Sequence, residues 1–132
     1  MNTTPSKPLK PGSVKILVAE DEAVNYMFIE ELFIDSDLTL IHANDGEEAT
    51  QLFKHHSDIR IVLMDIKMPK MDGYTAAKKI KEINPDIFII AQTAYALSVE
   101  IDKYKDAFDG YVTKPIDRDE LFELITKYAV TN

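Results

Sequence analysis

Apolar residues in this chain come in short dense runs separated by polar, helix-patterned stretches. Residues 14–19 read VKILVA, 38–43 LTLIHA, 60–64 RIVLM, 87–92 IFIIAQ and 110–112 GYV. Each run is too short for a buried helix, and the longer ones carry Val and Ile without alternation. Such runs predict strands covered on both faces, as in a parallel sheet. The stretches between them predict helices over 23–34, from Asp45 to about 54, over 74–83, over 98–104 and from Asp117 through 128. Asp21, Asp45 and Asp117 occupy N-cap positions, and Glu47 and Glu48 suit the positive end of the second helix. Pro69 with Asp72-Gly73 marks a turn, and Asn84-Pro85-Asp86 ends the third helix. The alternation predicts an α/β fold of (βα)5 type with no internal repeat. Residues 1–13, MNTTPSKPLKPGS, are Pro-rich and nearly free of apolar side chains, which predicts an extended tail or interdomain linker ahead of a domain at 14–130.

The chain has 132 residues, is 45% hydrophobic and carries a net charge of -8, enough for one domain with a core. That acidity argues against direct nucleic-acid binding, which needs a basic face. With no cysteine there is neither a disulfide nor a thiolate metal site, in keeping with a cytoplasmic protein. No apolar stretch is long enough to span a bilayer and no secretory h-region opens the chain.

The candidate chemistry stands at the ends of the strands. Glu20-Asp21 follow the first, Asp65 the third, Thr93 the fourth and Lys114-Pro115 the fifth. In an open parallel sheet all these ends line one edge, where ligands bind. Three carboxylates, a hydroxyl and an ammonium would share one cleft, and crowded acids call for a cation.

In that order, ILVAEDEAVN, IVLMDIKMPKMDGYTA, IIAQTAYAL and GYVTKPID closely resemble the receiver domain of two-component response regulators. Any one segment is weak; four in register are specific. The resemblance covers about residues 14–130. It implies a flavodoxin-like, doubly wound five-stranded parallel sheet of order 2-1-3-4-5. By resemblance Asp65 is the phosphoacceptor, whose carboxylate would attack the phosphorus of a phosphohistidine or a small acyl phosphate to give an aspartyl phosphate. Glu20, Asp21, Asp65 and the backbone carbonyl of Lys67 would hold Mg²⁺, with Mn²⁺ as the alternative. Many relatives carry Asp where this chain has Glu20, so that side chain is expected to reach the metal through water. Lys114 would contact the phosphoryl group, with Pro115 in a cis peptide aiming it. Thr93 and Tyr111 would form the switch pair, and Lys67 and Tyr95 would tune the phosphoryl lifetime, with a bulky Tyr95 slowing its loss.

The resemblance also implies a phosphorelay partner, a histidine kinase or histidine phosphotransfer domain, docking near the first helix. That helix is apolar nearly all round: Phe28, Ile29 and Leu32 are expected to face the sheet, with Tyr26, Met27 and Ile34 outside that arc. Packing of the outer residues against the last helix, through Phe122 and Ile125, is the alternative. A phosphorylation-dependent dimer is left open. EDEAVN and TAYAL look more like receivers of hybrid histidine kinases than like a stand-alone regulator. Weak self-phosphorylation and autophosphatase activity are expected, as for a signalling module rather than an enzyme. A dehalogenase-like phosphohydrolase is disfavoured because its nucleophilic Asp follows the first strand, a flavin-binding flavodoxin because no phosphate loop follows that strand, and an unphosphorylated scaffold because all the chemical positions are filled. AFDGYVTKP is about one residue shorter than the family's usual segment, and Gln92 replaces a residue that is commonly apolar.

Overall fold

The computed structural model describes residues 15–94, 102 and 105–131. The tail at 1–13, Tyr95 and the helix predicted over 98–104, apart from Asp102, lie outside these. In chain order the elements are β1 (Lys15–Ala19), α1 (Ala23–Leu32), β2 (Thr39–Ala43), α2 (Gly46–His55), β3 (Ile59–Asp65), α3 (Gly73–Ile83), β4 (Phe88–Thr93), β5 (Gly110–Thr113) and α4 (Arg118–Thr131). The strands form one parallel sheet of order β2-β1-β3-β4-β5. The expected flavodoxin-like order is therefore observed, with β1 and β3 adjacent at its centre.

Strand parity divides the core in two. Leu17, Val62, Met64, Ile89 and Ala91 pack with Ala49 and Phe53 of α2 and Ala76, Ala77 and Ile80 of α3. Ile16, Val18, Ile61, Leu63, Ile90 and Val112 pack with Ile29 and Phe33 of the α1 segment and Leu121 and Ile125 of α4. This explains the continuous apolar runs: successive side chains point to opposite faces and both faces are covered. Truncating a fully buried member such as Ile90 to Ala would cost about 2–5 kcal/mol.

Local chemistry sets the helix starts. The Asp45 carboxylate accepts from the Glu48 amide at 2.8 Å, that of Asp72 from Thr75 at 2.8 Å and that of Asp117 from Glu120 at 2.9 Å. Each cap is worth about 1 kcal/mol. Asp21, expected to cap α1, does not. The N-cap is Glu22, without a side-chain cap bond; its amide donates to Glu20 Oε2 at 3.1 Å and its carboxylate accepts from Asn25 Nδ2 at 2.8 Å.

The inner face of α1 also differs from expectation. Ile29 is buried and Leu32 half-buried as expected, but Phe28 is 43% exposed, and the buried aromatic is Phe33, one turn beyond Ile29. Residues four apart share a helix face. Phe33 packs against Phe122 of α4 with ring centroids 5.1 Å apart and planes tilted by 39°, and Arg118 donates to the carbonyl of Leu32 at 3.1 Å. Tyr26, placed outside the arc, lies flat on His42 of β2 with ring centroids 3.7 Å apart.

Candidate functional site

The sheet's carboxyl edge gathers Glu20, Asp65, Gln92 and Lys114 on its α1/α4 face by strand parity. Glu20 extends the row Ile16–Val18, Asp65 the row Ile61–Leu63, Gln92 follows Ile90 and Lys114 follows Val112. Thr93 and Tyr111 belong to the opposite parity, and Tyr111 packs against the α2/α3 cluster.

Asp65 ends β3 almost fully buried. One carboxylate oxygen accepts the Lys67 amide at 3.1 Å and the other accepts Lys114 Nζ at 2.8 Å. The backbone after it turns sharply. The Gly73 amide donates to the Ile66 carbonyl at 2.8 Å, and a Cβ on Gly73 would overlap the carbonyl of Asp65. Only glycine lets the start of α3 approach β3 this closely. The loop between them includes Lys70 at a φ of 66°.

Glu20 is fully buried, whereas Asp21 beside it is exposed. One Glu20 oxygen is held by the Glu22 amide; the other has no hydrogen-bond partner among the described residues and lies 3.9 Å from Lys114 Nζ. The Glu20 carbonyl bonds to His42 Nε2 at 2.8 Å, which ties the acidic turn to edge strand β2. Burial, and then the nearby Asp65 charge, push the Glu20 carboxyl above its ordinary range against the opposing pull of the Glu22 amide. The Lys114 ammonium is depressed by its own burial, but its hydrogen bond to Asp65 and the charges of Asp65, Glu20 and Glu22 win and raise it. It is a cation at any physiological pH.

Glu20, Asp21 and Asp65 each offer an oxygen, all within 4.8 Å of one another. All-oxygen donors of net charge -3, one of them a buried carboxylate atom that accepts no hydrogen bond among the described residues, suit a hard divalent cation. A cavity of about 240 Å³ opens over the group, lined by Asp21, Asp65, Lys67, Thr93 and Lys114 among others. The Lys114–Pro115 peptide is cis, and the Lys114 amide donates to the Thr93 carbonyl at 2.9 Å, joining the ends of β5 and β4.

On the opposite face, Thr93 is buried and Tyr111 half-buried, edge-on to Phe108 at 5.8 Å. Burial and then the acidic side chains of Asp106, Asp102 and Asp109 raise the Tyr111 phenol. Two features escaped the sequence reading. His42 supports the Glu20 turn; its signal was a polar residue inside an otherwise apolar strand. Gln92 is buried with its Nε2 unpaired among the described residues; its polarity in IIAQT was visible, its setting was not.

Comparison with known proteins gives the same class. The model of the response regulator receiver domain family matches residues 16–126. The chain is 34% identical over 115 residues to chemotaxis protein CheY of Bacillus subtilis, spanning 86% of this chain and 95% of that protein. It is 36% identical over 120 residues to hybrid signal transduction histidine kinase I of Dictyostelium discoideum, spanning 84% of this chain but only 7% of the kinase. Among solved structures, the receiver domain of sensor histidine kinase PA1611 from Pseudomonas aeruginosa superposes with a TM-score of 0.79 at 28% identity, covering 89% of this chain and 98% of that domain; it carries a magnesium ion coordinated in its active-site cleft. The chain belongs to the response regulator receiver domain family and is a receiver domain of two-component signalling. No helix among the described residues is long and apolar enough to cross a membrane.

Proposed function

We propose that Asp65 is the phosphoacceptor. The observation that carries this is a nearly buried carboxylate at a strand end, held by Lys114 at 2.8 Å and the Lys67 amide at 3.1 Å, beside two further acids. An Asp65 oxygen forms a bond to phosphorus as the bond to the phosphohistidine nitrogen breaks, and the electron pair returns to the imidazole ring. Lys114 follows the charge onto the phosphoryl oxygens. Glu20, Asp21, Asp65 and the carbonyl of Lys67 would hold Mg²⁺, or Mn²⁺ in its place. The cation would supply charge neutralisation between the incoming phosphoryl group and the acidic cleft. The buried Glu20 oxygen that accepts no hydrogen bond among the described residues favours direct ligation over the water-mediated contact expected from its length.

Thr93 lines the same cavity, and we assign it the hydroxyl that turns toward a phosphoryl oxygen, with Tyr111 moving into the space it leaves. This is a two-state element biased by one local change of charge. Lys67, and Tyr95 outside the described residues, are assigned to tuning the phosphoryl lifetime, so that Tyr95→Ala loses the group faster.

A histidine kinase or histidine phosphotransfer domain is the proposed donor. Val24, Met27 and Phe28 of α1 stay exposed although Ile29 and Phe33 pack inward, and Phe28 and Val24 rim a cavity next to Lys114 and Pro115. Likeness to a hybrid kinase supports placing the domain, 14–130, in such a protein behind a linker at 1–13; a stand-alone regulator, like the chemotaxis relative, is the alternative. The test is intact mass after incubation with Mg²⁺ and a small acyl phosphate. A phosphoryl-sized gain that disappears in Asp65→Asn and on chelation is expected. No gain, even with a competent phosphohistidine donor, would overturn the proposal.

A further inference from the structure

Gln92 has a buried amide nitrogen with no hydrogen-bond partner among the described residues, in the same strand-parity row as Asp65 and Lys114. It is 1% exposed. On β4 it pairs in register with Asp65 on β3, so the two side chains leave adjacent strands on the same face. Its neighbour on β5 is Val112, two residues before Lys114. Gln92 and Lys114 are the two residues shared by the cavity over Asp65 and a second, largely apolar cavity of about 270 Å³ behind α1. Gln92 therefore stands between the two cavities, beside Asp65 in the sheet.

Both Asp65 oxygens have a donor in this structure, the Lys67 amide and Lys114 Nζ. A phosphoryl group changes that count, because one oxygen becomes the bridge to phosphorus and the lysine is drawn to the new negative charge. We propose that Gln92 is a further donor of this site, its Nε2 taking the Asp65 carboxyl oxygen that Lys114 gives up when the phosphoryl group is present. This rests on Asp65 being the phosphoacceptor. During hydrolysis a water oxygen bonds to phosphorus, the bridging P–O bond breaks, and its electron pair stays on Asp65 while a water proton leaves to solvent. A donor on that carboxyl makes it a better leaving group, so Gln92 shortens the phosphoryl lifetime. An aliphatic side chain at this position would instead keep the group on.

The experiment follows decay of the phosphorylated mass after removal of the acyl phosphate, at saturating Mg²⁺, for wild type, Gln92→Met and Gln92→Leu. The lifetime in both variants should lengthen about fivefold, the worth of one hydrogen bond, with Mg²⁺ affinity unchanged. In parallel, the side-chain amide signals of ¹⁵N-labelled wild type are recorded under excess acyl phosphate. The chain has two glutamines, Gln51 and Gln92, so the assignment is simple, and this arm needs no variant to fold. The Gln92 signal should move on phosphorylation and the Gln51 signal should not. Normal phosphorylation with lifetimes within twofold of wild type, or an unmoved Gln92 signal, would overturn this inference alone. Absence of any phosphoryl gain in the wild type would overturn the phosphoacceptor assignment and this inference with it.

Discussion

The two faces of one sheet edge differ in what they expose to the cleft. On the α1/α4 face, the layer that follows the aliphatic core is Glu20, Asp65, Gln92 and Lys114, all titratable or amide groups and all at least partly buried. On the α2/α3 face, the positions in the layer beneath are Ala19, Met64, Ala91 and Tyr111, with Thr93 one pleat further along β4 and no charge among them. On the proposed assignment, charge capture and conformational response fall to opposite strand parities, and the Lys114 amide to Thr93 carbonyl bond joins them. A one-residue shift of parity would exchange the two sets. The separation lets one face be altered while the other is kept, and the following variants use this.

The largest effect is expected for Asp65→Asn, which should abolish phosphoryl uptake by intact mass while leaving the α2/α3 packing and the melting temperature near wild type. Glu20→Gln comes next. It removes a buried charge whose second oxygen accepts no hydrogen bond and whose ionisation burial disfavours, so the metal-free chain should melt about 2–6 °C higher, in line with roughly 1 kcal/mol. The same variant should lose most of the stabilisation that Mg²⁺ gives the wild type by mass action; calorimetry with and without the ion reads both. Thr93→Ala acts on the other face. Uptake at Asp65 should persist within about tenfold, because the acid and lysine are untouched, while the phosphorylation response of the Tyr111 backbone amide signal is lost.

The smallest effect is a pH dependence. The Glu20 carboxyl titrates above its usual value of 4.5. Its contribution to metal-free stability is therefore full below that value and is lost as pH rises through the raised one. Melting temperatures in chelator across that window should fall with rising pH in wild type and stay flatter in Glu20→Gln. An equal slope in both chains would assign the effect to other carboxylates.

Much of this division was readable in the chain before any coordinates. The runs ILVA and IVLM pointed to buried strands because nothing polar interrupts them, and Glu20 and Asp65 follow them directly. Asp45 and Asp117 capped as their positions indicated, since each precedes a clear helical period. Asp21 did not, because the longer Glu20 side chain folds back onto the Glu22 amide, and spacing alone does not reveal which of three adjacent acids turns inward. Phe28, expected inward, stayed exposed while Phe33 took the buried aromatic place for a related reason. A helix apolar on all sides gives no moment to orient it, and the orientation came from α4 through the Phe33–Phe122 contact. Gln92 was legible as an oddity only. Its meaning depends on the register that sets it beside Asp65, which is a property of strand pairing and not of its own neighbours in sequence.

The coupling of the two faces is tested most directly by the amide ¹H–¹⁵N spectrum of wild type and Thr93→Ala, each before and during phosphorylation with Mg²⁺ and excess acyl phosphate. In wild type, signals on both faces should move: Lys67 and Lys114 near the acceptor, and Tyr111 and Phe108 across the sheet. In Thr93→Ala the first pair should still move and the second should stay. Equal movement of Tyr111 and Phe108 in the two proteins would contradict a switch that runs through Thr93.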